Sequence, residues 1–313
     1  MKEKKIILDC DPGHDDMIAI MLASASEEIK VLGITTVAGN QTGEKTFNNA
    51  LKILTLIKES DIPVSRGFDK PILRELMVAP QIHGNSGLDG ADLPKPQVKP
   101  TGKHAVDFIT ETILNADEKI YLVPTGPLTN IAISLIKEPR IKEKIERIVL
   151  MGGAVYDSNI TPAAEFNIAV DPEAAKIVFE SGLPITMVGL DVTNRSLFSP
   201  EDIEQIENMG GPVSGAVAPL LAFFAKTNLE VFNINGAPLH DPLTIAYLID
   251  NTILHTEKLH VDIETKGEFT SGRTVVDVYK ITSKKPNVDV ALKVDVPKFK
   301  RLVFEALKKL DSR

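Results

Sequence analysis

Short β-branched runs alternate with longer amphipathic stretches over the first two thirds of this chain, and that alternation restricts its fold more than any other feature. Candidate strands fall at residues 5–8, 31–37, 63–66, 120–123, 147–151 and 185–190, with helical stretches between them at 15–26, 44–58, 104–115, 128–137 and 172–181. A strict strand–helix alternation is the pattern of a parallel sheet with crossover helices on its faces. Phe47, Ala50, Leu51, Leu54 and Ile57 keep helical spacing, so their helix packs one face on that sheet. After Leu190 a mostly helical stretch runs to about Ile249, strand-like pieces follow at 259–264, 274–279 and 288–294, and a last helix covers 298–309. There is no internal repeat and no low-complexity linker. The expected fold is α/β: one domain over residues 1–313, with a mostly parallel, Rossmann-like open central sheet flanked by helices. Two long segments without clear periodicity, 67–103 and 152–170, leave the carboxyl-end side of the strands. Open parallel sheets bind their ligands on that side, and loops of this length are usually functional or disordered.

Composition narrows the class. Apolar residues make up 43% of the chain, enough for a sizeable core, and the net charge of −8 with dispersed Lys and Arg argues against a nucleic-acid ligand. No uninterrupted apolar run approaches the roughly 18 residues of a membrane span. The start, Met1 to Leu8, is too short in apolar residues for a secretory signal. Cys10 is the single cysteine, so no internal disulfide forms. The expectation is a cytoplasmic protein with a small-molecule ligand.

The densest chemical feature is Asp9-Cys10-Asp11-Pro12-Gly13-His14-Asp15-Asp16, which sets four carboxylates at the end of the first strand and the start of the first helix. Side chains alternate along a strand, so Asp9 and Asp11 share a face if the strand reaches them. Helix-dipole compensation accounts for Asp15 and Asp16, but not for four acids converging on one turn without a cation. All-oxygen ligands select a hard cation such as Ca2+ or Mg2+ over zinc. The spacing is not that of an EF-hand, because the required glycine and the terminal bidentate glutamate are missing, so other segments must complete the site. Candidates end other strands or open later helices: Asn40 in Val37-Ala38-Gly39-Asn40, Thr125 in Val123-Pro124-Thr125-Gly126, Met151 before Gly152-Gly153, and Asp241 in His240-Asp241-Pro242. Turn chemistry explains any one of these alone, and Asp241 is also a plausible helix N-cap. Cys10, flanked by acids, has a disfavoured thiolate and is not a nucleophile.

The segment Ile6 to Asp16 resembles the amino-terminal signature of the inosine-uridine-preferring nucleoside hydrolases. The resemblance continues in Ile34 to Thr42, Leu122 to Asn130, Val149 to Gly153, Ala164 to Ile168, Asp171 to Ala175 and His240 to Pro242. It implies a Ca2+ site made by Asp11, Asp16, the Thr125 carbonyl and Asp241, with Asp11 also the general base. Asp15, Asn40, Met151, Asn159, Glu165 and Asn167 match positions that hold the ribose, and His83 and His240 match histidines on the base side. Of these, His240 is the candidate acid for the departing base. The implied protein is a homotetramer or dimer working in nucleoside salvage. His14 stands where relatives vary. Asn85 replaces a glutamate common in relatives, and Asn228 and Phe232 stand where some pyrimidine-preferring relatives place Gln and Tyr.

The competing readings are weaker. A haloacid-dehalogenase-like phosphohydrolase shares Asp9-x-Asp11, but Gly13 occupies the place where that motif wants Thr or Val. A nucleoside phosphorylase needs a phosphate cradle that the glycine spacing does not provide. A non-catalytic nucleoside-binding protein leaves the clustered acids without a purpose.

Overall fold

Strands covered by helices on both faces must be apolar on both faces. The first strand, β1 (Lys4–Cys10), meets that demand: Ile6, Leu8 and Cys10 join one core cluster while Ile7 joins the other. The computed structural model describes residues 3–313; Met1 and Lys2, part of the stretch read above as lacking a leader, lie outside the described residues. The chain continues through α1 (His14–Ala25), β2 (Ile29–Thr36), α2 (Gly43–Leu56), β3 (Val64–Arg66), α3 (Pro80–His83), α4 (Ala105–Leu114), β4 (Ile120–Pro124) and α5 (Thr129–Lys137). Next come β5 (Ile145–Met151), α6 (Phe166–Val170), α7 (Pro172–Phe179), β6 (Ile185–Val188), α8 (Leu190–Thr193), β7 (Leu197–Phe198), α9 (Pro200–Glu207) and α10 (Pro212–Phe232). The last elements are β8 (Ala237–Pro238), α11 (Pro242–Ile249), β9 (Leu254–Leu259), β10 (Val261–Ile263), β11 (Thr274–Val276), β12 (Val288–Val294) and α12 (Val296–Asp311).

Eight strands form one sheet in the order β3-β2-β1-β4-β5-β6-β12-β9. All pairings are parallel except that of the edge strand β9 with β12. This is the Rossmann-like open sheet expected from the alternation. Its strand order reverses between β1 and β4, and such a switch point opens a crevice at the carboxyl ends of the two strands. Thr125 N donates to Asp9 O across it at 2.8 Å.

Three local expectations change. Strand β1 runs on to Cys10, because Val37 N donates to Cys10 O and extends the ladder, so Asp9 lies inside the sheet. The strand expected at 259–264 is two strands in two sheets: β9 ends at Leu259 on β12, and β10 pairs with β11. Each of the two long loops contains a short helix, α3 and α6. Helix α10, with Pro219 inside it, is long and apolar enough by composition to cross a bilayer, but Ser214, Lys226 and Thr227 interrupt it, so it holds no uninterrupted apolar run of that length. It packs on α9, α3 and α12.

Candidate active site

Pro12 and Gly13 turn the chain from β1 into α1, whose N-cap is Gly13. Asp16 Oδ2 accepts from Gly13 N at 3.0 Å and from Asn40 Nδ2 at 3.3 Å, while its Oδ1 accepts from Thr125 Oγ1 at 2.8 Å. One carboxylate therefore ties together the segments after β1, β2 and β4. Asp241 occupies the N-cap position of α11 but makes no side-chain cap hydrogen bond. It is turned instead toward Asp15 and Asp16, and ligand oxygens of these three buried acids lie within 4.8 Å of one another. Asp11 stands beside them. Its Oδ2 accepts from Asn40 N at 2.6 Å, and its Oδ1 is buried with no partner. The backbone had to approach closely here: a Cβ on Gly39 would sit 2.1 Å from Asp11 Oδ2, and one on Gly126 2.5 Å from Oδ1.

Asp9 has a different place. Its Oδ1 accepts from Thr35 Oγ1 at 2.5 Å and from Asn130 Nδ2 at 2.8 Å, holding it within the sheet rather than in the carboxylate group. Burial without a cation penalises charge, so every one of these acids is pushed up: Asp9 and Asp15 to about 7, Asp16 to about 6, Asp11 and Asp241 well above the usual range. The same burial and the neighbouring acids push the Cys10 thiol up, which removes it as a nucleophile.

A cavity opens over this cluster. Of the residues named from sequence, Asp15, Asn40, His83, Thr125, Met151, Asn159, Glu165, Asn167, His240 and Asp241 line it; Asp11 and Asp16 lie behind, in the floor. Glu165 caps α6: Oε1 accepts from Asn167 N at 2.9 Å, and Oε2 from Gly153 N at 2.9 Å and Ile168 N at 3.1 Å. Asn167 Nδ2 donates to Thr125 O at 2.7 Å and to Met151 O at 3.2 Å. The far wall carries Gln81, Ile82, Phe224, Asn228 and Phe232. The cavity is thus polar and acidic at the sheet end and apolar, with two histidines, at the other.

That division fits a sugar at one end and a base at the other. The family model for inosine-uridine preferring nucleoside hydrolases matches residues 6–301. The chain belongs to this family. This nucleoside hydrolase is 52% identical over 305 residues, 97% of the chain and 96% of the relative, to the pyrimidine-specific ribonucleoside hydrolase RihA of Shewanella sp. (strain ANA-3). It is 51% identical over 304 residues to RihA of Escherichia coli O9:H4 (strain HS), covering 97% and 98% of the two chains. Among solved structures, the purine-preferring ribonucleoside hydrolase from Gardnerella vaginalis superimposes with a TM-score of 0.92 at 35% identity over 98% of this chain and 99% of that one. The protein is a hydrolase acting on N-glycosyl bonds of nucleosides, which sets the phosphohydrolase reading aside.

The histidine-bearing end of the cavity in this nucleoside hydrolase holds what the sequence left undervalued. His14 is fully buried, with Nε2 2.8 Å from Asp89 O and Nδ1 3.2 Å from His83 Nδ1. The same His83 nitrogen lies 3.4 Å from His14 N, so it is committed to the chain and Nε2 remains for a ligand. Phe224 stacks on both rings at centroid distances of 5.2 Å. Gly13 makes room for this: a Cβ there would meet His83 Nδ1 at 2.6 Å. His240 Nδ1 lies 2.8 Å from Thr193 Oγ1. Burial lowers all three histidines, His14 and His240 to about 4 and His83 well below its ordinary value, so the rings are neutral; His83 and His240 line the cavity, and His14 packs behind His83. The one sequence signal for Phe224 is its helical spacing from Asn228 and Phe232; Gln81 and Ile82 carried none.

Proposed function

We propose that this hydrolase cleaves pyrimidine ribonucleosides to ribose and free base with Ca2+ as its cofactor, in nucleoside salvage. The observation that carries the reading is the buried Asp11 Oδ1, which has no partner beside three further acids in the floor of the cavity. Buried charges of one sign so close together are tolerated only when neutralised. The carboxylates of Asp11, Asp16 and Asp241 with the Thr125 carbonyl form an all-oxygen donor set, with Asp15 alongside, and such a set fits a hard cation. When bound, the ion orients water and lowers its pKa.

The residues supply the rest. Asp11 is the base, as the resemblance implies: its Oδ1 is buried with no donor among the described residues, and it takes the proton of the attacking water. Asp15, Asn40, Asn159, Glu165 and Asn167 hold the ribose hydroxyls, and the acids facing the ring stabilise the positive charge of an oxocarbenium-like state. Direct attack by water inverts the anomeric carbon. With the Thr193 hydroxyl taken as the donor to Nδ1, His240 presents Nε2–H as a hydrogen bond to the departing base, which leaves as its anion and takes its proton from water, and His83 Nε2 steadies that base. A neutral His240 is a weaker acid than the imidazolium its ordinary pKa would allow near neutrality, so its part is a hydrogen bond that strengthens as the bond breaks. Two relatives about half identical to this chain are named pyrimidine-specific, which supports the preference.

The test is chromatography of products from uridine, cytidine, inosine and guanosine, with and without a calcium chelator. Ribose and free base from the pyrimidine substrates, lost with chelator and restored by Ca2+ alone, is the expected result. Restoration by zinc in place of calcium, or turnover that requires phosphate, defeats the proposal.

A further inference from the structure

The loop after β5 leaves the sheet at Gly152, carries Asn159 at the cavity wall and returns to Glu165 and α6. Its base is anchored: Asp191 accepts from Val155 N at 2.6 Å and from Tyr156 N at 2.9 Å, and Thr274 Oγ1 bonds both Ala154 N and Ala154 O. Beyond Tyr156 the outgoing and returning legs are joined at the tip by Asn159 N and Ile160 N donating to Ala164 O at 3.2 and 3.3 Å, and from outside one side chain bridges them. Arg273 Nη1 donates to Asp157 O at 3.2 Å and to Ala163 O at 3.1 Å, and its Nη2 donates to Val155 O. Each of these bonds goes to a main-chain carbonyl, so the guanidinium is spent on the shape of the loop rather than on an ion pair. The residues on either side of it are pinned too. Gly272 has φ of +85°, and a Cβ there would sit 2.7 Å from Ala169 Cα in α6. At the tip, Asn159 Oδ1 accepts from Phe166 N at 2.9 Å, which leaves its amide N–H groups for a ligand.

We propose that Arg273, outside the cavity, is a positioning residue for ribose binding: by bridging the two legs of the 155–163 loop it holds Asn159 where the sugar is gripped. The inference rests on the reading of Asn159 as a ribose contact. A planar fork reaches carbonyls on both legs in fixed directions, and an ammonium group at the end of a flexible stem does not reproduce that. Binding lost equally from ground and transition states appears in KM rather than kcat.

A double-mutant cycle on the full-length enzyme with calcium present tests it, using N159A, R273M, R273K and the N159A/R273M pair, with uridine as substrate. The expected result is a KM raised about tenfold in R273M with kcat within about threefold of the parent, and a smaller rise in R273K. In the N159A background R273M should add less than about twofold, because its effect runs through the residue already removed. Circular dichroism and thermal melts establish that the variants fold; if R273M does not, R273K takes its place in the cycle. An unchanged KM in N159A overturns the reading of Asn159 and the inference with it. A raised KM in N159A with a fully multiplicative effect of R273M overturns the inference alone, as does an R273M enzyme changed in kcat but not in KM.

Discussion

At the residue scale, the proposed chemistry turns on the Asp11 carboxylate. One oxygen is held by Asn40 N and the other is bare, with Gly39 and Gly126 pressed against the two. Asp11→Asn keeps the size and the Asn40 contact but offers no basic oxygen. We expect kcat to fall by about 10² to 10⁴, the usual share of a general base, with a circular dichroism spectrum like that of the parent. Turnover within a few-fold of the parent would remove Asp11 from the role. The acidic run that led to Asp11 was legible because acid density is a one-dimensional property. What distinguishes Asp9 from Asp11 was not: both follow the strand alternation and both keep one buried oxygen without a partner, and only position divides them, Asp9 inside the sheet on Thr35 and Asn130 and Asp11 beside the carboxylate group. Gly39 and Gly126 read as ordinary turn residues, yet neither has a positive φ; both are glycine because a carboxylate occupies the place of a side chain.

At the scale of elements, α6 shows how a five-residue helix with no periodicity can matter. Nothing in its composition marks it as a helix, since five residues complete barely more than one turn. Its existence depends on Glu165, whose two oxygens satisfy three backbone N–H groups, and on the Gly272–Thr274 segment behind it. The sequence resemblance assigned Glu165 to the sugar; the structure adds that it builds the wall on which Asn167 stands. Glu165→Gln turns an NH2 group toward donors, leaving at least one buried N–H unmet, and should cost about 1–3 kcal/mol in urea unfolding. A variant as stable as the parent would show that Glu165 is not what holds α6. The same limit hid α3, which delivers His83. The long elements were plain by contrast, because α2 and β1 each repeat an apolar pattern over several residues.

At the scale of the whole molecule, the alternation of strand and helix was enough to place the site, since the reversal between β1 and β4 brings Asp11 and Thr125 to one crevice. Asp241 arrives from a helix beyond that pattern, so its part in the site had to come from resemblance or from the fold. This convergence of acids gives the folded protein a pH dependence with a definite sign. Asp9, Asp15 and Glu165 are raised in the fold to about 7, and Asp11 and Asp241 well above the usual carboxylate range, whereas unfolded carboxyls titrate near 4. A group raised on folding contributes stability below its unfolded pKa, and that contribution is lost as pH rises through its folded value. The buried His14, His83 and His240 are lowered, so they favour the fold as pH rises, but only up to their unfolded value of about 6.5. Above pH 6.5 the acids alone remain, and the chelated protein should go on losing thermal stability as pH rises from 6.5 through about 7. A cation among Asp11, Asp15, Asp16 and Asp241 replaces the protons they would otherwise hold, so calcium affinity should rise over the same interval. Melts in chelator and in calcium at several pH values check both: the rise in Tm given by calcium must grow with pH. An equal rise at pH 6.5 and 8.5 would mean that the ion does not sit among these acids.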